Sequence, residues 1–416
     1  MKLLHTSDWH VGKTIRGRSR ADEHRAVLAE IIELAAEHAV DLVLVAGDLF
    51  ETAAPSAEAE AIVYRALLKL VGTGAEVAVV AGNHDNGRKL EAVAPVFSAA
   101  GGVHVLAQPA RPDEGGVLGL RTRDGEDVRL AMLPFVSQRG IVRAKDLMDS
   151  EAYENAQGYA ERMRRVIEAL AAGFGSGTVN VFMAHAFVHG GQLGGGERAV
   201  HFIDEYALSA QAFPASAGYV ALGHVHRPQR ISGRGQVHYC GSPLQLDFGE
   251  QQQTKQVNLV EIEPGLPPVV TPLPLSSGRT LRTLSGTLAE LDSQRGALAD
   301  DPWLRVKVRE PRRAGLADTV RELLGEGVVD IRVEDSSRPT ARTPSRSGRS
   351  PVDLFDEYMA ERNVDDDRVR ALFAELIDAE HCPDAPEQSG DMRPLGRPVA
   401  ARAAAVADAP EQGSEP

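Results

Sequence analysis

An α/β layered domain followed by a smaller αβ domain is the fold the sequence predicts, on three observations. Short β-branched apolar runs alternate with helical patterns over residues 1–275, the texture changes after Pro272–Pro274, and five of the apolar runs end directly in polar clusters.

The strands expected in the first domain are Leu3–Ser7, Asp41–Ala46, Glu76–Ala81, Val103–Leu106, Val128–Leu133, Thr178–Ala184, Gly218–Leu222, Val237–Tyr239 and Gln256–Ile262. Between them, Val27, Leu28, Ile31, Leu34 and Ala35 share one helical face, Ile62, Ala66, Leu67 and Leu70 a second, and Met163, Val166, Ile167 and Leu170 a third. Such faces cover a sheet. Further on, Thr280–Leu284, Trp303–Val308 and Val328–Val333 read as strands, and Leu288–Leu298 and Leu316–Leu324 as helices, which fits a small separate core over 278–335. Residues 336–350 are polar, proline-broken and carry four arginines, the composition of a flexible basic linker. In 351–380, Leu354, Phe355 and Tyr358, then Val369, Leu372, Phe373 and Leu376, lie at helical spacing. Two amphipathic helices this short need something to dock on. Residues 381–416 read as a disordered acidic tail, and no internal repeat is found.

Composition narrows the class. The chain of 416 residues is 43% hydrophobic and 25% charged, within the globular range. Two cysteines, Cys240 and Cys382, cannot build a disulfide framework or a zinc ribbon, and MKLLHTSDWH lacks the apolar core of a secretory signal, so the cytoplasm is the expected location. No run approaches the roughly 18 apolar residues of a membrane span. The net charge of −14 would argue against a polyanionic partner, but residues 351–416 alone hold 16 acidic and 6 basic side chains. Residues 1–350, with 43 acidic and 39 basic, are nearly neutral.

The chemistry lies where strands end. Leu3–Ser7 runs into Asp8-Trp9-His10, Asp41–Ala46 into Gly47-Asp48, Glu76–Ala81 into Gly82-Asn83-His84-Asp85, Thr178–Ala184 into His185, and Gly218–Leu222 into Gly223-His224-Val225-His226. Ligands gather at the carboxyl ends of strands in α/β sheets, so distant residues can converge there. Asp8, His10, Asp48, Asn83, His185, His224 and His226 supply oxygen and imidazole nitrogen without thiolate, as two divalent first-row ions require. A carboxylate can bridge ions about 3.5–4 Å apart, and such pairs serve phosphoryl displacement. Each fragment alone has a bland reading as a turn; five in this order, each after an apolar run, do not. Gly47, Gly82 and Gly223 are expected to turn the backbone sharply. His5, His104, His189, His201 and His238 are read as surface or core histidines, Trp9 as packing, Cys240 as a buried small hydrophobe, and the glycine-rich loop 190–198 as no nucleotide site.

Taken together, Asp-x-His, Gly-Asp, Gly-Asn-His-Asp, His and Gly-His-x-His resemble the calcineurin-like metallophosphoesterase superfamily. HTSDWHVGK, GDLFE, GNHDN, HAFVHGG with GGGER after it, ALGHVHRPQ and YCGSPLQLDFGE are similar to the bacterial SbcD nuclease family, the catalytic partner of the SbcC ATPase. The resemblance spans the first domain, continues more loosely over the second domain and paired helices, and fades in the linker and tail. It implies a layered metallophosphoesterase β-sandwich flanked by helices, with a small αβ capping domain and C-terminal docking helices. It also implies that Asp8, His10 and His226 ligate one metal, that Asn83, His185 and His224 ligate the other, and that Asp48 bridges them. His84 would then face the scissile phosphate and stabilise or protonate the leaving oxygen, with Asp85 orienting its ring. Where this chain has Glu51, the family often carries Asp or His.

The resemblance further implies a DNA phosphodiesterase of repair and recombination, a 3′→5′ double-strand exonuclease and hairpin endonuclease. Its partners would be double-stranded DNA ends and hairpins and the coiled coil of an SbcC-like ATPase, the chain acting as a homodimer within a heterotetramer. Imidazole donors favour two Mn²⁺ ions, Mg²⁺ being the poorer fit. The rival enzyme reading, a phosphomonoesterase or cyclic-nucleotide phosphodiesterase, leaves the chain beyond the catalytic domain unexplained. A scaffold with vestigial catalysis leaves the complete donor set unexplained.

Overall fold

The computed structural model describes residues 1–137, 152–195, 207–233, 235–296, 298, 301–334, 351–362 and 366–380. Two six-stranded sheets face each other. One has β1 (Lys2–Thr6), β4 (Leu42–Val45), β5 (Glu76–Val80) and β6 (Val103–Leu106) in parallel, with β13 (Gln256–Glu261) and then β14 (Val269–Pro274) added antiparallel beside β1. The other has β8 (Asp127–Leu133), β9 (Val179–His185), β10 (Tyr219–Gly223) and β12 (Val237–Tyr239) in parallel, flanked by antiparallel β7 (Val117–Arg121) and β11 (Gln229–Arg230). A hairpin of β2 (Thr14–Ile15) and β3 (Arg18–Ser19) leaves the site-bearing loop after β1.

The continuous apolar runs follow from burial on both faces, since successive strand residues point opposite ways. Leu42 and Leu44 enter the core between the sheets with Val181, Met183 and Ala221, while Val43 and Val45 pack outward under the helices α1 (Ala21–Glu37) and α2 (Ala57–Val71). On the far face, α4 (Ala152–Ala171) lays Met163, Ile167 and Leu170 on the second sheet. Helix, sheet, sheet and helix thus form four layers. Truncating a residue such as Leu44 to Ala would cost about 2–5 kcal/mol.

Several elements escaped the sequence patterns, among them the short strands β2, β3 and β11 and the edge strand β7, and two others did so for identifiable reasons. The helix α3 (Gly87–Ala100) contains Pro95 and fully buries only Leu90 and Phe97, so its apolar periodicity is faint; Asn86 caps it by accepting from the Lys89 amide at 3.1 Å. Pro272 and Pro274, expected to mark the end of the first domain, lie within the edge strand β14, where a missing donor is tolerated.

A separate three-stranded parallel sheet, β15 (Leu281–Gly286), β16 (Trp303–Val308) and β17 (Val328–Val333), carries α5 (Leu288–Arg295) and α6 (Leu316–Leu324) over its own core of Leu291, Val306, Val308, Leu316 and Val320. Its seat on the larger body is specific. Glu23 of α1 takes both nitrogens Nε and Nη2 of buried Arg20 (3.1 and 2.7 Å), the Trp303 indole N–H (2.8 Å) and the Arg279 amide (2.9 Å). Ile15, Phe248, Leu281 and Trp303 close an apolar seam beside it.

The helix α7 (Pro351–Glu361) exposes Val352 and Tyr358 but buries Met359, and leaves Leu354 and Phe355 half-buried. The chain divides into two compact units, Met1–Asp365 and Asp366–Pro416, the second containing α8 (Asp367–Glu380). The two helices expected as one pair therefore belong to different units. On α8, Val369 and Leu372 are exposed and Phe373 is half-buried; the linker 336–350, the tail 381–416 and the Leu376 side chain lie outside the described residues.

Candidate metal centre

The loops after β1 and β4 continue the parallel ladder beyond the sheet: the Asp8 amide bonds the Gly47 carbonyl at 2.9 Å, and the His10 amide bonds the Asp48 carbonyl at 3.0 Å. To keep that pairing while turning their side chains to one point, Asp8 (φ 53°), His10 (φ 47°) and Asp48 (φ 52°) sit in the left-handed region, as His224 (φ 100°) has positive φ too. Such conformations are costly in non-glycine residues, and they cluster where function over-determines the backbone. The second sheet is tied in at Asp8, whose carboxylate accepts from the His224 amide at 3.0 and 3.2 Å. The three glycines do not play one role. Gly47 turns the chain at φ 89°, whereas Gly82 and Gly223 permit close approach: a Cβ would lie 2.1 Å from Asp48 Oδ1 at Gly82 and 1.8 Å from the Ala46 carbonyl oxygen at Gly223.

All seven expected donors converge. Donor atoms of Asp8, His10 and His226 form one group within 4.8 Å, and those of Asp48, His185 and His224 another; His84 joins His10 and Asp48 in a third. Asp48 Oδ2 lies 3.5 Å from both His10 Nε2 and His185 Nε2. Asn83 Oδ1 lies 3.0 Å from His185 Nε2 and 2.7 Å from His224 Nδ1. Asp8, His10, Asp48, His185, His224 and His226 are all buried.

Tautomers follow from the partners on the far side of each ring. His10 Nδ1 faces the Glu51 carboxylate at 3.0 Å, His226 Nδ1 faces Glu250 at 3.0 Å, and His185 Nδ1 faces the Ala46 carbonyl at 2.8 Å, so each Nδ1 carries the proton and each Nε2 turns a lone pair inward. The lone pairs of His226 and His10 meet head-on, Nε2 to Nε2 at 3.2 Å, and His185 Nε2 stands 3.2 Å from His224 Nδ1. Acceptors crowded on acceptors fit a cation between them. Two nitrogens each about 2.1 Å from one ion lie about 3.0–3.4 Å apart at tetrahedral or octahedral angles. Asp48 draws positive charge, whether proton or cation, to the same point. Burial pushes the Asp48 carboxyl up, but His185, His84 and His10 around it more than offset this and hold it well below its usual range. Burial alone would lower His185; the facing Asp48 carboxylate raises it to about 9.

His84 is held by a group other than the expected one. Its Nδ1 donates to the Glu51 carbonyl at 2.7 Å and its amide to Asp48 Oδ1 at 2.8 Å. Asp85 instead takes the amides of Gly82 (2.8 Å), Phe50 (3.0 Å) and Leu49 (3.2 Å), stitching the β4 and β5 loops together; burial and the Asp48 charge push its carboxyl up to about 6. Asp85 therefore orients the loops and not the His84 ring.

The residues read as bystanders stay outside these groups. His5 is a satisfied core histidine between the Tyr219 hydroxyl (2.9 Å) and the Leu222 carbonyl (3.2 Å), His104 pairs with Glu76 at 2.8 Å, and His238 stacks on Tyr219. Trp9 is buried with its N–H on Thr6, and burial pushes the Cys240 thiol up, away from nucleophilic use. His201 and residues 196–198 lie outside the described residues. Sequence reasoning missed Glu250, Lys255 and Lys13 behind the rings and Phe135 stacked on His224 at 5.8 Å. Lys13 and Glu250 end the segments HTSDWHVGK and YCGSPLQLDFGE, but no spacing says that they stand behind the rings, and Lys255 and Phe135 come from other stretches of chain.

The calcineurin-like phosphoesterase family model matches residues 1–228. The chain is 31% identical over 392 residues to the SbcD subunit of the SbcCD nuclease from Bacillus subtilis, covering 90% of this chain and 97% of that one. It is 33% identical over 383 residues to the SbcD subunit of Rhodobacter capsulatus (85% and 93% covered) and 30% identical over 396 residues to that of Escherichia coli K12 (91% and 94%). Because the likeness runs through the small domain as well as the metal face, the chain belongs to the SbcD family of calcineurin-like, metal-dependent nuclease subunits.

Proposed function

We propose that Asp8, His10 and His226 hold one divalent ion, that Asn83, His185 and His224 hold a second, that Asp48 bridges them, and that Mn²⁺ is the ion preferred by this imidazole-rich set. The observation that carries this reading is Asp48 Oδ2 standing 3.5 Å from Nε2 of both His10 and His185. Ions bound there supply a nucleophile at neutral pH and neutralise charge growing on a phosphate. With Nδ1 of His84 held by the Glu51 carbonyl, Nε2 is the end of the ring suited to stabilise or protonate a leaving oxygen.

The substrate is DNA, in the form of duplex ends trimmed 3′→5′ and hairpins opened internally, in the cytoplasm. The relatives are named as one component of an SbcCD nuclease, which supports an SbcC-like ATPase as partner; the assembly we propose is a heterotetramer holding two copies of this chain. We keep the division into nuclease domain 1–275, capping domain 278–335, linker 336–350, docking helices 351–380 and tail 381–416. The capping domain positions DNA through fewer cations than its composition suggests. Arg305 is paired with Asp330 (2.9 Å), Lys307 with Glu334 (3.4 Å) and Arg309 with Glu290 (2.7 Å). Exposed Arg312 and Arg313, lining a hollow with Arg332 and Ile331, remain for phosphate. Among the described residues no helix is long and apolar enough to cross a membrane.

Two experiments test this reading. Manganese-stimulated cleavage of blunt duplex DNA is compared with hydrolysis of an aryl phosphate; preference for the aryl ester would replace the nuclease assignment of the site with a phosphomonoesterase one. Deleting 351–416 is expected to leave the folding transition intact and abolish co-purification with the ATPase. A fall in Tm of many degrees, or undiminished co-purification, refutes the docking role.

A further inference from the structure

Two rings of the candidate centre are backed in the same unusual way. Behind His10, Glu51 Oε2 meets Nδ1 at 3.0 Å while Glu51 Oε1 takes Lys13 Nζ at 2.9 Å. Behind His226, Glu250 Oε1 meets Nδ1 at 3.0 Å while Glu250 Oε2 takes Lys255 Nζ at 2.7 Å and the Leu246 amide at 2.9 Å. Lys255 is itself anchored on the Ser242 hydroxyl (2.9 Å), Gln253 Oε1 (2.9 Å) and the His226 carbonyl (3.0 Å). Both lysine–glutamate–histidine series serve the same group of donors, the one containing Asp8. In the other group, His185 is backed by the neutral carbonyl of Ala46.

We propose that Glu51 and Glu250 are positioning residues, each held by its lysine, that fix the orientation and tautomer of His10 and His226 and so strengthen the ion position of Asp8. A carboxylate behind a ligating imidazole locks the proton on the far nitrogen and strengthens the near one as a donor. The lysine takes the second carboxylate oxygen, so the glutamate cannot swing forward and become a ligand itself. At Glu250, which is wholly buried, it also neutralises a charge that could not otherwise stay in the interior. Glu51, at the position where the family often carries Asp or His, thereby has a role.

This inference rests on the two-ion reading, and its test separates the two. The full chain is titrated with Mn²⁺ by calorimetry as wild type, as Glu51→Gln and as the double variant Glu250→Gln/Lys255→Met. The double exchange is used because Glu250→Gln alone strands Lys255 in the core; Glu51, partly exposed, carries the test independently. Two ions are expected in each protein, with one affinity falling about 10- to 100-fold in the variants and the other moving less than about threefold. In a His185→Ala background, which cripples the opposite position, the remaining ion should show the whole loss. Equal weakening of both ions, or none, overturns the positioning role. A wild type that takes up fewer than two ions overturns the dinuclear reading and this inference with it.

Discussion

The metal face and the small domain use charge in opposite ways. At the metal face, buried ring nitrogens point at one another in a way that a cation would reconcile, with strained backbone at Asp8, His10, Asp48 and His224 holding them there. In the small domain, opposite charges are already paired on the surface, and a half-buried carboxylate, Glu23, sits at the centre of its contacts with the body. A centre built this way should fail sharply at single substitutions, whereas a seat built this way can be loosened by degrees. The two regions also share a turn. Gln245 and Gln251 accept from the Leu281 and Thr283 amides of the small domain (2.7 and 2.9 Å), Phe248 lies under the Arg305 guanidinium, and Glu250 among them backs His226.

The largest effect should come from Asp48→Ala, which removes an oxygen close to both groups of donors. Cleavage and uptake of both ions should be lost together, by orders of magnitude, in a paired assay of activity and metal content; retention of two ions would remove the bridge. His84→Ala should split those readouts, with metal content near two per chain and cleavage down by orders of magnitude. Unchanged cleavage would end the role given to His84.

Glu23→Ala tests the seat. It strips buried Arg20 of its carboxylate and should cost about 3 kcal/mol in urea unfolding, with the metal centre still competent. The pH sign is definite. Burial pushes the Glu23 carboxyl up, but Arg20, Trp303 and the Arg279 amide outweigh it and leave it below the ordinary 4.5. Its stabilisation is thus full above that value and is lost as the pH falls through the lowered folded one. Glu23→Gln should show a shallower fall of Tm on the acid side than wild type, and identical slopes would remove Glu23 as the latch. The smallest effect is expected from Arg312→Glu with Arg313→Glu. Duplex affinity should drop and its salt dependence flatten, by a slope of about one per lost phosphate contact. Indifference of both would confine DNA to the metal face.

Local pattern carried much of this protein. Strand runs such as Val43–Val45 and the donors that follow them are visible because burial on both faces demands unbroken apolar residues, and a strand end is where polar side chains can leave the sheet. Helix α3 and strand β14 were hidden, since Pro95 and two prolines in β14 contradict local propensity and only packing at an edge or a short buried face excuses them. The Asp-x-His and Gly-His-x-His spacings likewise name donors, but no spacing says what stands behind a ring. That Glu51 and Glu250 back His10 and His226, that Asp85 serves backbone amides in place of His84, and that Arg305, Lys307 and Arg309 are already paired are facts about loops meeting from distant stretches of chain. Hydrogen bonds and ion pairs act over about 3 Å in space, and sequence distance carries no record of that.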